Sequence, residues 1–264
     1  MTPLRFPAEA PWPTSAAARQ QVEIRPLRCH DDFQACLALQ KLTWGEHFSE
    51  CVPPTILKVV QRVGGVAAGA FDERGALLGF VFGISGVCNG RLVHWSDMLA
   101  VREGAQGMGI GRRLKQFQRE ALLAEGVEVV YWTYDPLVAR NAHFNLNRLG
   151  ARVEEYVPDM YGEHTASKLH DGIGTDRFVV AWEIATPESS AEGAPDDRVV
   201  RIEIPASLQR VVDEAPDEAR RWRLQTREAF QHWMGLGYAV SGFHRDAETG
   251  RCFYLLTPPT AEPC

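Results

Sequence analysis

Three glycines within five residues, in Gln106-Gly107-Met108-Gly109-Ile110-Gly111, separate a strand-like segment from a helix-like one. Upstream, Arg91–Val101 (RLVHWSDMLAV) reads as a strand. A regular pleat would put Val93, Trp95, Asp97, Leu99 and Val101 on one face and His94, Ser96 and Met98 on the other. Downstream, Leu114, Phe117, Ala121 and Leu122 share a helical face, and Gly126 suits the residue after the helix end. Glycines at such a junction let the backbone approach a ligand closely, and the free amides of a helix start can take a pyrophosphate. Two common phosphate loops do not fit. No G-x-x-x-x-G-K-[ST] string begins at Gly104 or Gly107. The dinucleotide fingerprint G-x-G-x-x-G lacks its third glycine, because Arg112 and Leu114 occupy those places.

The periodicity around this loop predicts a mixed α/β order. Val22–Leu27 alternates as a strand; a helix follows through Phe33, Cys36, Leu37, Leu39 and Gln40, capped by Asp31 or Asp32. Pro53 and Pro54 open a second helix that ends at Gly64-Gly65. Val66–Phe71 and Leu77–Ile84 form a hairpin, and Val127–Tyr134 is an apolar strand ended by Asp135-Pro136. RNAHFNLNRLG is a short helix, and ARVEEYV and TDRFVVAWEI are strands.

We divide the chain into a loosely docked or disordered tail (1–21), a first domain (22–184), a linker (185–198) and a strand-helix-strand-strand extension (199–264). At about 66 residues the extension is marginal alone and is expected to pack on the first domain.

Composition narrows the function. The chain of 264 residues carries 28 basic and 34 acidic residues, a net charge of −6, which disfavours a phosphate-backbone partner. An Arg-rich helix (Arg220, Arg221, Arg223, Arg227) leaves nucleic-acid binding a weak third reading. Its alternatives are a solvated face paired with Asp217, Glu218 and Glu228, or a clamp for a substrate carboxylate or cofactor phosphate. No run of about 18 apolar residues predicts a membrane span, and no secretory signal is read at the start. Six cysteines without a C-x-x-C pair read as reduced thiols, and a cytoplasmic setting is expected. The eight histidines show no metal spacing, so no metal is expected.

The loop fits Gln106-x-x-Gly109-x-Gly111 with VREGA directly before it, and here the chain resembles the GNAT superfamily of acyl-CoA-dependent N-acyltransferases. The element order over 22–184 is similar, and NAHFNLNRLGA resembles the later helix of that superfamily, with Gly150-Ala151 at its usual G-F-like step. WTYDPL, NAHFNLNRLG and the DRF step look like a subgroup of predicted GNAT enzymes that carries the C-terminal extension.

The resemblance implies a mainly antiparallel sheet with helices on both faces. It implies that the strands of Leu99 and Tyr131 splay to admit acetyl-CoA or another acyl-CoA. Leu99, Ala100 and Val101 would pair with the pantetheine arm. The amides of Gln106, Gly107, Met108, Gly109, Ile110 and Gly111 would hold the pyrophosphate, helped by Arg112 or Arg113, with Asn141 near the thioester or the cofactor arm. The implied reaction is N-acyl transfer, acetyl or succinyl, to a small-molecule amine such as an amino acid, by direct attack in a ternary complex. No acyl carrier is assigned among the cysteines, and Cys88 near the third strand is the one to check.

An alkylammonium must first lose a proton. The expected base is Asp97, with His94 second. An amide at a bulge near Leu99–Ala100 would serve the oxyanion. The superfamily's usual acid, a Tyr four residues before the glycine, is Leu146 here, so Tyr134, Tyr156, Tyr161 or solvent must replace it. Of these, Tyr161 is taken as the candidate. Trp95, Tyr134 and Asp135 are the expected acceptor contacts, Asp135 holding an ammonium, with HTASKLHDGIG folding over the pocket. The rival reading, favoured by Leu146, is a non-catalytic acyl-CoA-binding module. A homodimer is one expectation, and the oligomeric state stays open.

Overall fold

The computed structural model describes residues 22–162, 172–185 and 198–259. The 1–21 tail, nearly all of the 185–198 linker and most of HTASKLHDGIG lie outside the described residues.

The chain runs β1 (Glu23–Pro26), α1 (His30–Trp44), α2 (Pro54–Arg62), β2 (Val66–Phe71), β3 (Leu77–Cys88), β4 (Arg91–Val101), α3 (Ile110–Ala124), β5 (Val129–Tyr134), α4 (Ala139–Ala142), β6 (Arg152–Val157) and β7 (Arg177–Glu183). This is the order expected over 22–184. The strands form one seven-stranded sheet, β1-β2-β3-β4-β5-β7-β6. Every neighbouring pair is antiparallel except β4 and β5. The cap of α1 is Cys29 rather than Asp31 or Asp32. Asp32 instead stands three residues in, accepts from the Arg28 and Cys29 amides, and pairs with Arg25 at 2.6 Å. That geometry closes a capping box, which needs the carboxylate inside the first turn.

Helices α1 and α2 bury Phe33, Cys36, Leu39, Leu57 and Val60 against Ala67, Phe80, Phe82, Met98 and Ala100 on one face of the sheet. Helix α3 covers the other face with Ile110, Leu114 and Leu122 against Ala68, Ala70 and Val81. After α3 the chain re-enters the sheet as β5, in parallel with β4 over Val93–Trp95 against Val129–Tyr131.

The C-terminal residues form β8 (Val200–Ile204), α5 (Leu208–Glu214), α6 (Pro216–Gly235), β9 (Ala239–Arg245) and β10 (Cys252–Thr257), with the strands in a second sheet ordered β8-β10-β9. One helix was expected there; two form because Pro216, lacking an N–H, restarts the helix after extended Ala215. The extension shares the main core. Phe230 and Tyr254, both fully buried, stack edge-on around Phe178 of β7 at 4.8 and 5.4 Å. No helix among the described residues is long and apolar enough to cross a membrane.

Candidate active site at the fork between β4 and β5

The local geometry starts at Gly83. Phe82 pairs with Met98 and Ile84 with Trp95, so Ser96 and Asp97 together oppose the single residue Gly83. That is a β-bulge, and it inserts one residue into the face alternation of β4. A Cβ at Gly83 would stand 2.2 Å from His94 Nε2 and 2.6 Å from the Trp95 carbonyl oxygen, so only glycine lets the bulge close. The strict alternation expected for β4 therefore fails. His94 and Ser96 face α3, as Leu99 and Val101 do, whereas Met98 and Ala100 face α1. The bulge sits at Ser96–Asp97, not at Leu99–Ala100.

The β4–β5 pairing stops at Trp95–Tyr131, below the bulge. Beyond it the strands diverge around a cavity of about 1000 Å³. Its walls include Ser96, Asp97 and Leu99 from β4, Lys115 from α3, Trp132 to Tyr134 from β5, and Asn141 and Asn145 from the following turns. Thr43, Trp44, Phe48 and Glu50 close one side, and Ala206 to Gln209 of the extension line another part of the wall. Asp97 reaches solvent at this wall. Surrounding protein and the facing Glu50 push its pKa up.

At the fork's mouth, Gly107 and Gly109 adopt φ of +85° and +75°, and Gly109 is the N-cap of α3. The helix ladder begins with Arg113 N–H on the Gly109 carbonyl, so the amides just before Arg113 have no acceptor within the helix. A Cβ on Gly111 would meet nothing nearer than Leu99 and Phe144, at 3.9 and 4.0 Å, the two sides of the fork. Gln106 lines the cavity, donates to the Val101 carbonyl and accepts from Arg140. Arg140 went unnoticed in the sequence, where nothing ties it to a loop 34 residues away. The side chain of Ile110 is in the core, so only its amide is available there; Met108 is half-buried against the same core. Arg113 turns away to the Val22 carbonyl, while Arg112 is exposed on the first turn.

Several expected roles are overturned. His94 is fully buried outside the cavity lining. Its Nε2 accepts from the Gln118 amide, whose oxygen takes donors from Ser96 and Lys115, and its Nδ1 faces Ser85 Oγ at 3.0 Å. Ser85 Oγ donates to Gly64 O, so the imidazole proton sits on Nδ1. Burial, with Lys115 nearby, brings its pKa down to about 3, and both nitrogens are committed; it is not a base for substrate. Asp135 does not wait for an ammonium: both its oxygens are held by Arg223 of α6, at 2.9 and 2.6 Å. Tyr134 is buried against Tyr254, and burial raises its pKa. Trp95 lies below the fork, outside the lining. Tyr156 donates to Asp176; of the two tyrosines that line the cavity, Tyr134 keeps its hydroxyl on Tyr254, and Tyr161 is hydrogen-bonded to Thr133 at 2.8 Å. Leu146 lies in a π-helical turn, His143–Arg148, packed on the core.

The Arg-rich helix divides: Arg220 and Arg221 lie on an exposed face, Arg220 paired with Asp217 as expected, whereas Arg223 and Arg227 turn inward. Arg223 holds Asp135, and Arg227 holds Asp159 and Asp176, all in the first domain. Cys88 is exposed at the far end of β3, and no described cysteine lines the cavity.

No family model matches the chain. No curated protein matches it either. Among solved structures it is similar to an acetyltransferase of the GNAT family from Desulfovibrio desulfuricans, at 14% identity and TM-score 0.49, over 62% of this chain and 99% of that one. It is also similar to the ribosomal-protein-S18-alanine N-acetyltransferase from Escherichia coli, at 16% identity and TM-score 0.48, over 66% and 100%. An aminoglycoside 6'-N-acetyltransferase complexed with coenzyme A gives 14% identity and TM-score 0.47, over 64% and 99%. The strand order, the fork between β4 and β5 and the glycine loop that opens α3 agree with the mainly antiparallel sheet, the splayed strands and the loop that the resemblance to the GNAT superfamily implies.

Proposed function

We propose that the protein is an acyl-CoA-dependent N-acyltransferase that moves an acetyl or succinyl group to the amine of a small molecule of the amino-acid class. The observation that carries this reading is the fork: β4 loses its β5 partner beside the open amides of α3, and both border one cavity containing Asp97. An extended amide-bearing arm can pair with β4 where no strand does, as a further strand would. The loop amides, with Arg112 and Arg140 exposed nearby, suit a pyrophosphate.

The chemistry is direct attack. The acceptor ammonium, with a pKa near 10, gives its proton to Asp97, directly or through water. The surrounding protein and Glu50 raise the Asp97 pKa, which makes it a stronger base than a fully solvated carboxylate. The neutral amine attacks the thioester carbonyl, and an amide of the bulge would receive the oxyanion. Arg177, a buried cation of the cavity wall 3.9 Å from the already-paired Asp135, supports an acceptor that carries a carboxylate.

The test is free-thiol release from acetyl-CoA and succinyl-CoA with pooled L- and D-amino acids, their amides and polyamines, against a no-acceptor control. Acceptor-dependent release that prefers acids over amides is expected. Tight CoA binding without release for any acceptor would leave a binding module, the reading that Leu146 favours.

A further inference from the structure

Lys115 is used by neither the fold nor the chemistry above. It lies in the buried stripe of α3 between Leu114 and Gln118, only 2% exposed, where lysine is rare and costly. Its Nζ donates to Ser96 Oγ at 2.8 Å and to Gln118 Oε1 at 3.1 Å, and stands 4.0 Å above the Trp132 ring. No carboxylate pairs with it among the described residues. From β4 it is faced by Ser96 and by neutral His94, from β5 by Trp132, and along α3 by Gln118. Asp97, next in sequence to Ser96, belongs to the same cavity.

The place matters as much as the charge. Ser96 is half of the bulge, Trp132 is the first β5 residue past the last paired position, and both line the cavity with Lys115. The ammonium therefore stands in the crotch of the fork, on the same cavity that Gln106 of the glycine loop lines. The geometry points to Lys115 as the proton donor to the departing thiolate, in place of the tyrosine that Leu146 replaces. This role rests on the acyl transfer proposed above. Tyr161 is less suited, since it is 37% exposed and tied to Thr133.

The step balances. The acceptor nitrogen bonds to the carbonyl carbon, and the C–S bond breaks with its electron pair passing to sulfur. A proton moves from Nζ to that sulfur, leaving free thiol and a neutral lysine. Asp97, having passed the first proton from the acceptor ammonium to cavity water, takes the proton shed by the new amide nitrogen. Cavity water then returns a proton to Lys115 and removes one from Asp97. Burial brings the Lys115 pKa down to about 7, where an ammonium can give up a proton and regain it.

The test needs no acceptor. Ionisation of the thiol of bound CoA is followed by ultraviolet absorbance against pH, with desulfo-CoA as the blank, in the wild type and in Lys115→Met. An adjacent ammonium should bring the bound thiol below its ordinary value, that of free CoA titrated alongside, and Lys115→Met should return it there with CoA still bound. With an acceptor in hand, kcat should fall about 100-fold in the variant, and the decline of kcat above pH 7 should vanish. A wild-type thiol that ionises at or above the ordinary value overturns the role, as does unchanged kcat in the variant; acyl transfer would survive both. Absence of CoA binding by the wild type would overturn the acyl-CoA reading and this role with it.

Discussion

Arg223 of α6 and Asp135 at the end of β5 form a two-pronged ion pair, each side chain only 3% exposed, 88 residues apart in sequence. The Arg223 Nε also donates to the Ile173 carbonyl. One α6 side chain thus fixes the strand end that borders the cavity. Removing either charge strands the other in the interior. Asp135→Asn or Arg223→Met should each cost about 3–5 kcal/mol in chemical denaturation, and the double variant less than the sum. Strict additivity would mean that the pair is not coupled.

Gly83 sets the bulge. Gly83→Ala should destabilise the chain by about 1–3 kcal/mol or more, because the new methyl meets His94 and the backbone of Trp95 and Ser96. CoA affinity should fall as well, since the fork depends on that bulge. A variant as stable as wild type by thermal melting would contradict the tight packing seen here.

His94 gives an acid signature. Its pKa is lowered from 6.5 to about 3, so the unfolded chain takes up a proton first as pH falls. The neutral form's stability is fully present above about pH 6.5 and is lost as pH drops toward 3. His94→Gln should flatten the melting temperature between these limits relative to wild type. Parallel curves for the two proteins would show that His94 does not titrate there.

Lys115 has the opposite signature. Its folded pKa lies below the unfolded value of 10.5, so the wild type gains stability as pH rises from about 7 to 10.5. Lys115→Met should be the more stable protein at pH 7, with the gap shrinking over that interval. Ser96 Oγ still has the Gln118 oxygen as acceptor. A destabilised variant would show instead that the cation holds the crotch together.

Asp97→Asn tests the proposed base. With CoA affinity unchanged, kcat/KM should fall by about 100-fold or more, most at low pH, where the acceptor is fully protonated. Near-normal kcat/KM across the pH range would remove Asp97 from the chemistry.

Local rules settled much of this protein. The strand alternation, the helical stripes and the glycines at Gly107 and Gly109 act within a few residues, and they place β4, the loop and α3 correctly without any distant contact. Tertiary structure decided which polar groups are free. Asp135 and His94 look available in the sequence, yet Arg223 and Gln118 consume them from elsewhere in the fold. Lys115 sits in an ordinary amphipathic helix pattern, and only the divergence of β4 from β5 puts it beside a cavity. The bulge, expected near Leu99–Ala100, lies at Ser96–Asp97 for the same reason. It depends on one glycine of the neighbouring strand, and cross-strand register is a property of the assembled sheet.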